Sequence, residues 1–347
     1  MQKGGPTVKE RVIWLDCLRC AAAFAVVCIH VCAQNWFTID ISSMRWMAFH
    51  FYDCMVRWAV PAFVMISGAF FLDPSRELSL SKLYRKYILR IFTALVFWSF
   101  AYAAVYAMRN QETFTGFLRR FLYGHYHLWY LYMLLGLYII TPLVRKITAD
   151  RRMTEYFLAV GLILTVIVPD LLHLPILDIF TGVYDKLRFH FTLGYVFYYV
   201  LGYYLAHVVL TKRQNRTLCL FGVVGYLIIF FGTWQLSLHS GQKVEWIYDY
   251  LSFGVALESA AVMVFFRNRK IDLSAKARRA VSRLSKYSFG VYLVHIFVLD
   301  ALAALGFSTV SFNSFLAVPA VSVVTFVISL GISMVLNRIP VLSRYIV

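Results

Sequence analysis

The stretch LDCLRCAAAFAVVCIHVC, residues 15–32, sets Asp16, Arg19 and His30 among apolar neighbours. These types can do proton and anion chemistry. An imidazole titrates near the pH a general base needs, a guanidinium holds anions, and a carboxylate can orient or neutralise the guanidinium. In a helix, Arg19 and His30 are eleven residues apart and return to within about 20° of one face, about 16 Å apart along the axis. Asp16, three residues before Arg19, joins that face. The plainer reading is that Asp16 and Arg19 only neutralise each other. A second run, HFYDCMVRWAVPAFVMISG, puts His50, Asp53 and Arg57 at i, i+3 and i+7, again one face, with Pro61 placed to kink it. Here too a structural Asp53–Arg57 pair is an open alternative. In GHYHLWYLYMLLGLYIITPL, His125, His127, Trp129, Tyr130 and Tyr132 gather at one boundary. Trp and Tyr are ordinary interface anchors there; two histidines are less ordinary. Glu258 and His295 each stand in a later apolar segment. Glu258 has no sequence-local partner, whereas a lone buried histidine is more often a satisfied core residue. No HExxH-like arrangement occurs, and Cys17 and Cys20 lack the further ligands a zinc site needs, so no metal is expected.

The elements that must position these groups are membrane helices. The 347 residues are 61% hydrophobic and 15% charged, with a mean hydropathy of +0.69, the profile of a polytopic membrane protein. Apolar runs near the ~20 residues needed to cross a bilayer fall at 12–33, 51–72, 88–108, 127–144, 155–172, 189–210, 217–237, 246–266, 287–306 and 314–336. The expectation is therefore an all-α integral membrane protein with about ten transmembrane helices in a single domain, 1–347, and a basic loop at 267–286. The first run is too long for a cleaved signal and lacks a small-residue cleavage site, so it is read as retained. The six cysteines lie in or beside apolar segments, which suits packing rather than a disulfide framework.

Charge gives the orientation. Of the 34 Lys and Arg, 25 fall in alternate loops beginning with the N-terminal segment (Lys3, Lys9 and Arg11), and seven fall in the loops between. Arg19 and Arg57 lie within spans. This split predicts both termini in the cytoplasm and absorbs most of the net charge of +17 without a nucleic-acid partner. The clusters SKLYRKYILR and RNRKIDLSAKARRAVSRLSK suit anionic membrane lipids, or the phosphates of a nucleotide-bearing donor such as coenzyme A.

WLDCLR with Arg19-x10-His30, then RWAVPAFVMISG, HLWYLYMLLGLYIITPL and YSFGVYLVHI, in that order over about residues 10–340, resemble the acyltransferase 3 family of integral membrane acyltransferases. Among its members the chain looks most like the short, single-domain O-acetyltransferases of cell-surface glycans, the enterobacterial common antigen type. The resemblance implies a bacterial inner-membrane enzyme that moves an acetyl or other acyl group from cytoplasmic acyl-CoA to a hydroxyl of a glycan or lipid-linked sugar. It implies that His30 is the essential histidine and Arg19 its basic partner. The family's Arg-x-x-Arg pair entering the third helix is altered: Tyr87 stands three residues before Arg90, with Arg85 and Lys86 shifted upstream. Arg85, Lys86 and Arg90 are the expected donor-phosphate ligands. The fused esterase domain that some relatives carry is not expected here, so transfer is expected to finish within the membrane domain.

Acyl transfer from a thioester needs a base for the alcohol and a donor for the oxyanion. His30 suits the first task, and Arg57 or Tyr130 the second, with Asp16 orienting Arg19. Asp53, His127, Trp129, Glu258 and His295 complete the expected substrate surface. The rival is a transporter or flippase for a glycan or lipid, with the same charges along a translocation path; the sequence shows no repeated halves of the kind transporters often carry.

Overall fold

Apolar runs free of helix breakers have one way to satisfy their backbone in hydrocarbon, and the chain takes it. The computed structural model describes residues 12–188, 193–269 and 271–347, and every regular element among them is a helix. Lys3, Lys9, Arg11, Lys270 and the expected start of the sixth span, 189–192, lie outside the described residues. The principal helices are α1 (Ile13–Trp36), α2 (Met44–Val56), α3 (Ala59–Phe71), α4 (Leu89–Arg109), α5 (Phe114–Tyr123), α6 (Trp129–Thr148), α7 (Arg151–Gly161), α8 (Gly194–His207), α9 (Lys212–Ser240), α10 (Phe253–Asn268), α11 (Ala275–Ala304) and α12 (Ser314–Leu336).

Among the described residues, nine helical runs are long and apolar enough to cross a membrane. The sixth expected span is represented by α8, whose 14 described residues reach about 21 Å, short of a ~30 Å hydrocarbon core. The second span is broken. Pro61 removes an amide and crowds the carbonyl four residues back, at Arg57, and the helix interrupts at Arg57–Trp58 between α2 and α3. The third run, Leu80–Arg109, opens with a π-helical turn at Leu83–Ile88 that shifts the register of everything before it. The expected basic loop at 267–286 is helical from Ala275 onward, because Ser274 accepts the Ala277 amide at 3.3 Å and caps a run of good helix formers.

α1 is central: it packs on α2, α3, α11 and α12. Of its apolar window 61% is buried by protein, against 17% for Arg151–Leu172 and 22% for α9, which are apolar but turn most of that surface outward as lipid-facing helices would. The closest approach is between α3 and α8. A Cβ on Gly68 would sit 1.8 Å from the Tyr199 carbonyl oxygen, and one on Gly202 2.2 Å from that of Met65. Only glycine lets these two backbones touch. Arg145 on α6 fixes the turn after α3 by donating to the carbonyls of Phe71 (2.7 Å), Asp73 (2.9 Å) and Arg76 (2.8 Å). The antiparallel run of α1 against α2 defines two ends. The basic end carries Arg19, Arg76, Lys82 and Lys286; the far end carries Trp36, His127 and Tyr250.

Candidate active site

Asp16 and Arg19 are built into the contact between α1 and α11. The buried Asp16 carboxylate accepts from the hydroxyls of Ser285 (2.7 Å) and Ser282 (3.1 Å). Arg19 lies 3.6 Å from that carboxylate and donates to Ser285 at 3.2 Å. One hydroxyl thus ties both charges to the facing helix. Ser282 and Ser285 were not legible as site residues, since a serine in a basic helical turn carries no local signal.

Three turns further along α1, the His30 ring has its protons set by its neighbours. His295 Nδ1 lies 2.6 Å from the Tyr292 carbonyl, which can only accept, so that nitrogen carries hydrogen and Nε2 of the neutral ring is an acceptor. His295 Nε2 is 3.1 Å from His30 Nδ1, which also faces the Val26 carbonyl at 2.9 Å. His30 Nδ1 is therefore the donor to both, and the neutral ring is left with its lone pair on Nε2. His127 and His125 adjoin, Nδ1 to Nδ1 at 2.9 Å, on a short turn held to α11 by Tyr292, which donates to the His127 carbonyl at 2.6 Å. Gly124, at φ +71°, lets the chain turn from α5 into these histidines.

A cavity of about 400 Å³ joins the two ends of this stripe. Arg19 and His30 both line it, as the helical spacing requires, together with Tyr87, Arg90, His127, Trp129, Tyr130 and Lys286. Tyr87 and Arg90, three apart, share its wall. A second cavity of about 530 Å³ opens at the basic end; Arg19 and Tyr87 line both, and Asp16, Arg76 and Lys82 belong to the second. Asp73 lies beyond the end of α3. Burial alone would raise its carboxyl, but hydrogen bonds from Ser75, the field of His207 and a hydrogen bond from Arg76 outweigh this and hold it below the usual range.

Not every expected residue lies on this path. Arg85 and Lys86 are exposed and line neither cavity, because the π-helical turn carries them off the face of Tyr87 and Arg90. Asp53 and Arg57 form a buried ion pair, with the guanidinium 4.1 Å over the Tyr248 ring, and line a separate recess at the far end. His295 sits behind His30 rather than on the cavity wall. Glu258 is buried and lines an apolar recess between α2, α9 and α10, whose wall also includes the partly exposed Phe51, Met55 and Trp58. His50 stacks between Trp46 and Phe230 and donates to the Phe230 carbonyl at 2.8 Å, a satisfied core histidine. The six cysteines are free thiols, and no group of His, Cys, Asp and Glu among the described residues could hold a metal.

An all-helical, multi-pass bundle with a histidine on the wall of a long internal cavity is the class of protein at hand. The chain matches the acyltransferase-domain family of the acyltransferase 3 type over residues 12–334, and it belongs to that family: it is a membrane acyltransferase. No curated protein and no solved structure matches it significantly.

Proposed function

We propose that the protein O-acetylates a sugar hydroxyl, taking the acetyl group from cytoplasmic acyl-CoA and delivering it to a cell-surface glycan or lipid-linked sugar in the bacterial inner membrane, as the enterobacterial common antigen type does. The observation that carries this reading is the His30 ring, which lines the cavity and holds its proton on Nδ1. The basic end is the cytoplasmic one, in line with the 25-to-7 division of Lys and Arg. The donor's phosphates rest among Arg19, Arg76, Lys82, Arg90 and Lys286, without Arg85 and Lys86, and its thioester arm runs past Arg19 to His30.

His30 Nε2 takes the proton of the acceptor hydroxyl as the oxygen attacks the thioester carbonyl. Tyr130, on the cavity wall, donates to the tetrahedral oxyanion. When the intermediate collapses, the C–S bond breaks and the thiolate takes the proton from His30, so the acetyl group ends as an ester on the acceptor oxygen and free thiol leaves. Arg57, paired with Asp53 outside this cavity, is less well placed for the oxyanion than Tyr130. Mass spectrometry of surface glycans from a deletion strain tests the reading. Loss of an acetyl ester that the restored gene returns supports it; unchanged acetylation with a defect in sugar export favours a transporter.

A further inference from the structure

Three residues beyond His30 on α1, about 4.5 Å further along the axis, Ala33 lines a recess of about 190 Å³ at the far end. It shares Tyr250 with the main cavity, so two hollows approach His30 from opposite ends of the bundle. We infer that this recess is the acceptor subsite, and that it takes a neutral or amino-bearing sugar and turns away anionic ones. The inference rests on the acetyl-transfer reading above and adds the class of sugar.

The lining supplies both faces that a sugar ring needs. Trp36, Phe37, Tyr248 and Tyr250 offer apolar surface to its C–H groups, and Glu245 and Asp249 offer acceptors to its hydroxyls or an ammonium. These parts are held in place. Trp36 is 2% exposed, packed 4.7 Å from Trp46 and edge-on to Tyr248 at 5.4 Å. Asp249 accepts the Leu251 amide at 2.9 Å, and Tyr198 clamps the Tyr250 carbonyl at 2.5 Å. The volume equals about six waters, enough for one ring and too little for a nucleotide.

Charge decides the class. Three carboxylates, Asp53, Glu245 and Asp249, face one cation, Arg57, whose charge is already committed to Asp53 beneath Tyr248. Lys243 on the rim is fastened to the Phe37 carbonyl at 2.6 Å. A uronate or phosphate there meets like charge at short range, whereas a hydroxyl or ammonium meets acceptors.

The test is CoA release by the purified full chain with acetyl-CoA and, separately, methyl glucoside, methyl glucosaminide, methyl glucuronide and hydroxylamine as acceptors. The glucoside and the glucosaminide should accelerate release and the glucuronide should not. Glu245→Lys should raise the KM of the glucosaminide by about tenfold or more, the loss expected of one charged hydrogen bond, while the KM of acetyl-CoA holds. Acceleration by the glucuronide, by none of the three sugars, or an unmoved glucosaminide KM in Glu245→Lys overturns the subsite. Hydroxylamine is too small to need the subsite: its failure to be acetylated by the unaltered protein contradicts the acetyl-transfer reading itself, and the subsite with it.

Discussion

At the scale of the residue, His30 has its tautomer set by its neighbours. His295 Nε2 and the Val26 carbonyl both take the Nδ1 hydrogen, and the second of these cannot be removed by side-chain substitution. His295→Phe leaves the tautomer to Val26 alone and loosens the ring. The expected result is a fall in kcat of about tenfold or more with the KM of acetyl-CoA unchanged, read from steady-state CoA release; the split separates a positioning role from donor binding. Ser285 is the corresponding support for Arg19. In Ser285→Ala, Asp16 loses its 2.7 Å hydrogen bond and Arg19 its tie to α11. A destabilisation of about 1–3 kcal/mol should follow, seen in thermal unfolding, together with a several-fold rise in the KM of acetyl-CoA. Asp16, Arg19 and His30 were legible from spacing on one helix. Their partners were not, because Ser285 and His295 stand 266 and 265 residues away from them in the chain and only the packing of α1 on α11 brings them near.

At the scale of the element, two breaks shape the cavities. Pro61 was legible as a kink, and its effect falls one turn back, where the interruption at Arg57–Trp58 leaves the Arg57 side chain beside the far-end recess. The π-helical turn at Leu83–Ile88 was not legible, since the residues before it are too few and too mixed in polarity for its register shift to show in the hydrophobic pattern. Its consequence is the division of one basic cluster into wall residues, Tyr87 and Arg90, and exposed ones, Arg85 and Lys86. The contact of α3 with α8 is backbone on backbone at Gly68 and Gly202. Gly68→Leu cannot be absorbed by a side-chain shift, because the obstacle is the Tyr199 carbonyl. Loss of about 3 kcal/mol or more, or failure to recover folded protein, is expected by thermal unfolding in detergent. A variant that melts with the unaltered protein would mean the helices are not so closely apposed.

At the scale of the whole molecule, the bundle encloses a series of cavities with His30 on the wall of the central one. The basic cavity, the central cavity and the far-end recess succeed one another along α1, through Arg19, His30 and Ala33 in turn. Hydrophobic runs made the helical membrane architecture legible, and nine of the ten expected spans have counterparts of spanning length among the described residues. The far-end recess was hidden, because its walls come from α1, α2 and the segment before α10, and nothing in any one of them marks a cavity. Glu258 lies apart from His30: its carboxyl, legible as a charge in an apolar run, lines the apolar recess between α2, α9 and α10. The account turns on His30 as the base. The direct measurement is CoA release by the protein in liposomes with envelope glycan as acceptor, comparing the unaltered chain with His30→Ala at matched insertion and thermal stability. The account predicts a loss of about a hundredfold or more, the usual contribution of a general base; a His30→Ala rate within a few-fold of the unaltered protein would contradict it.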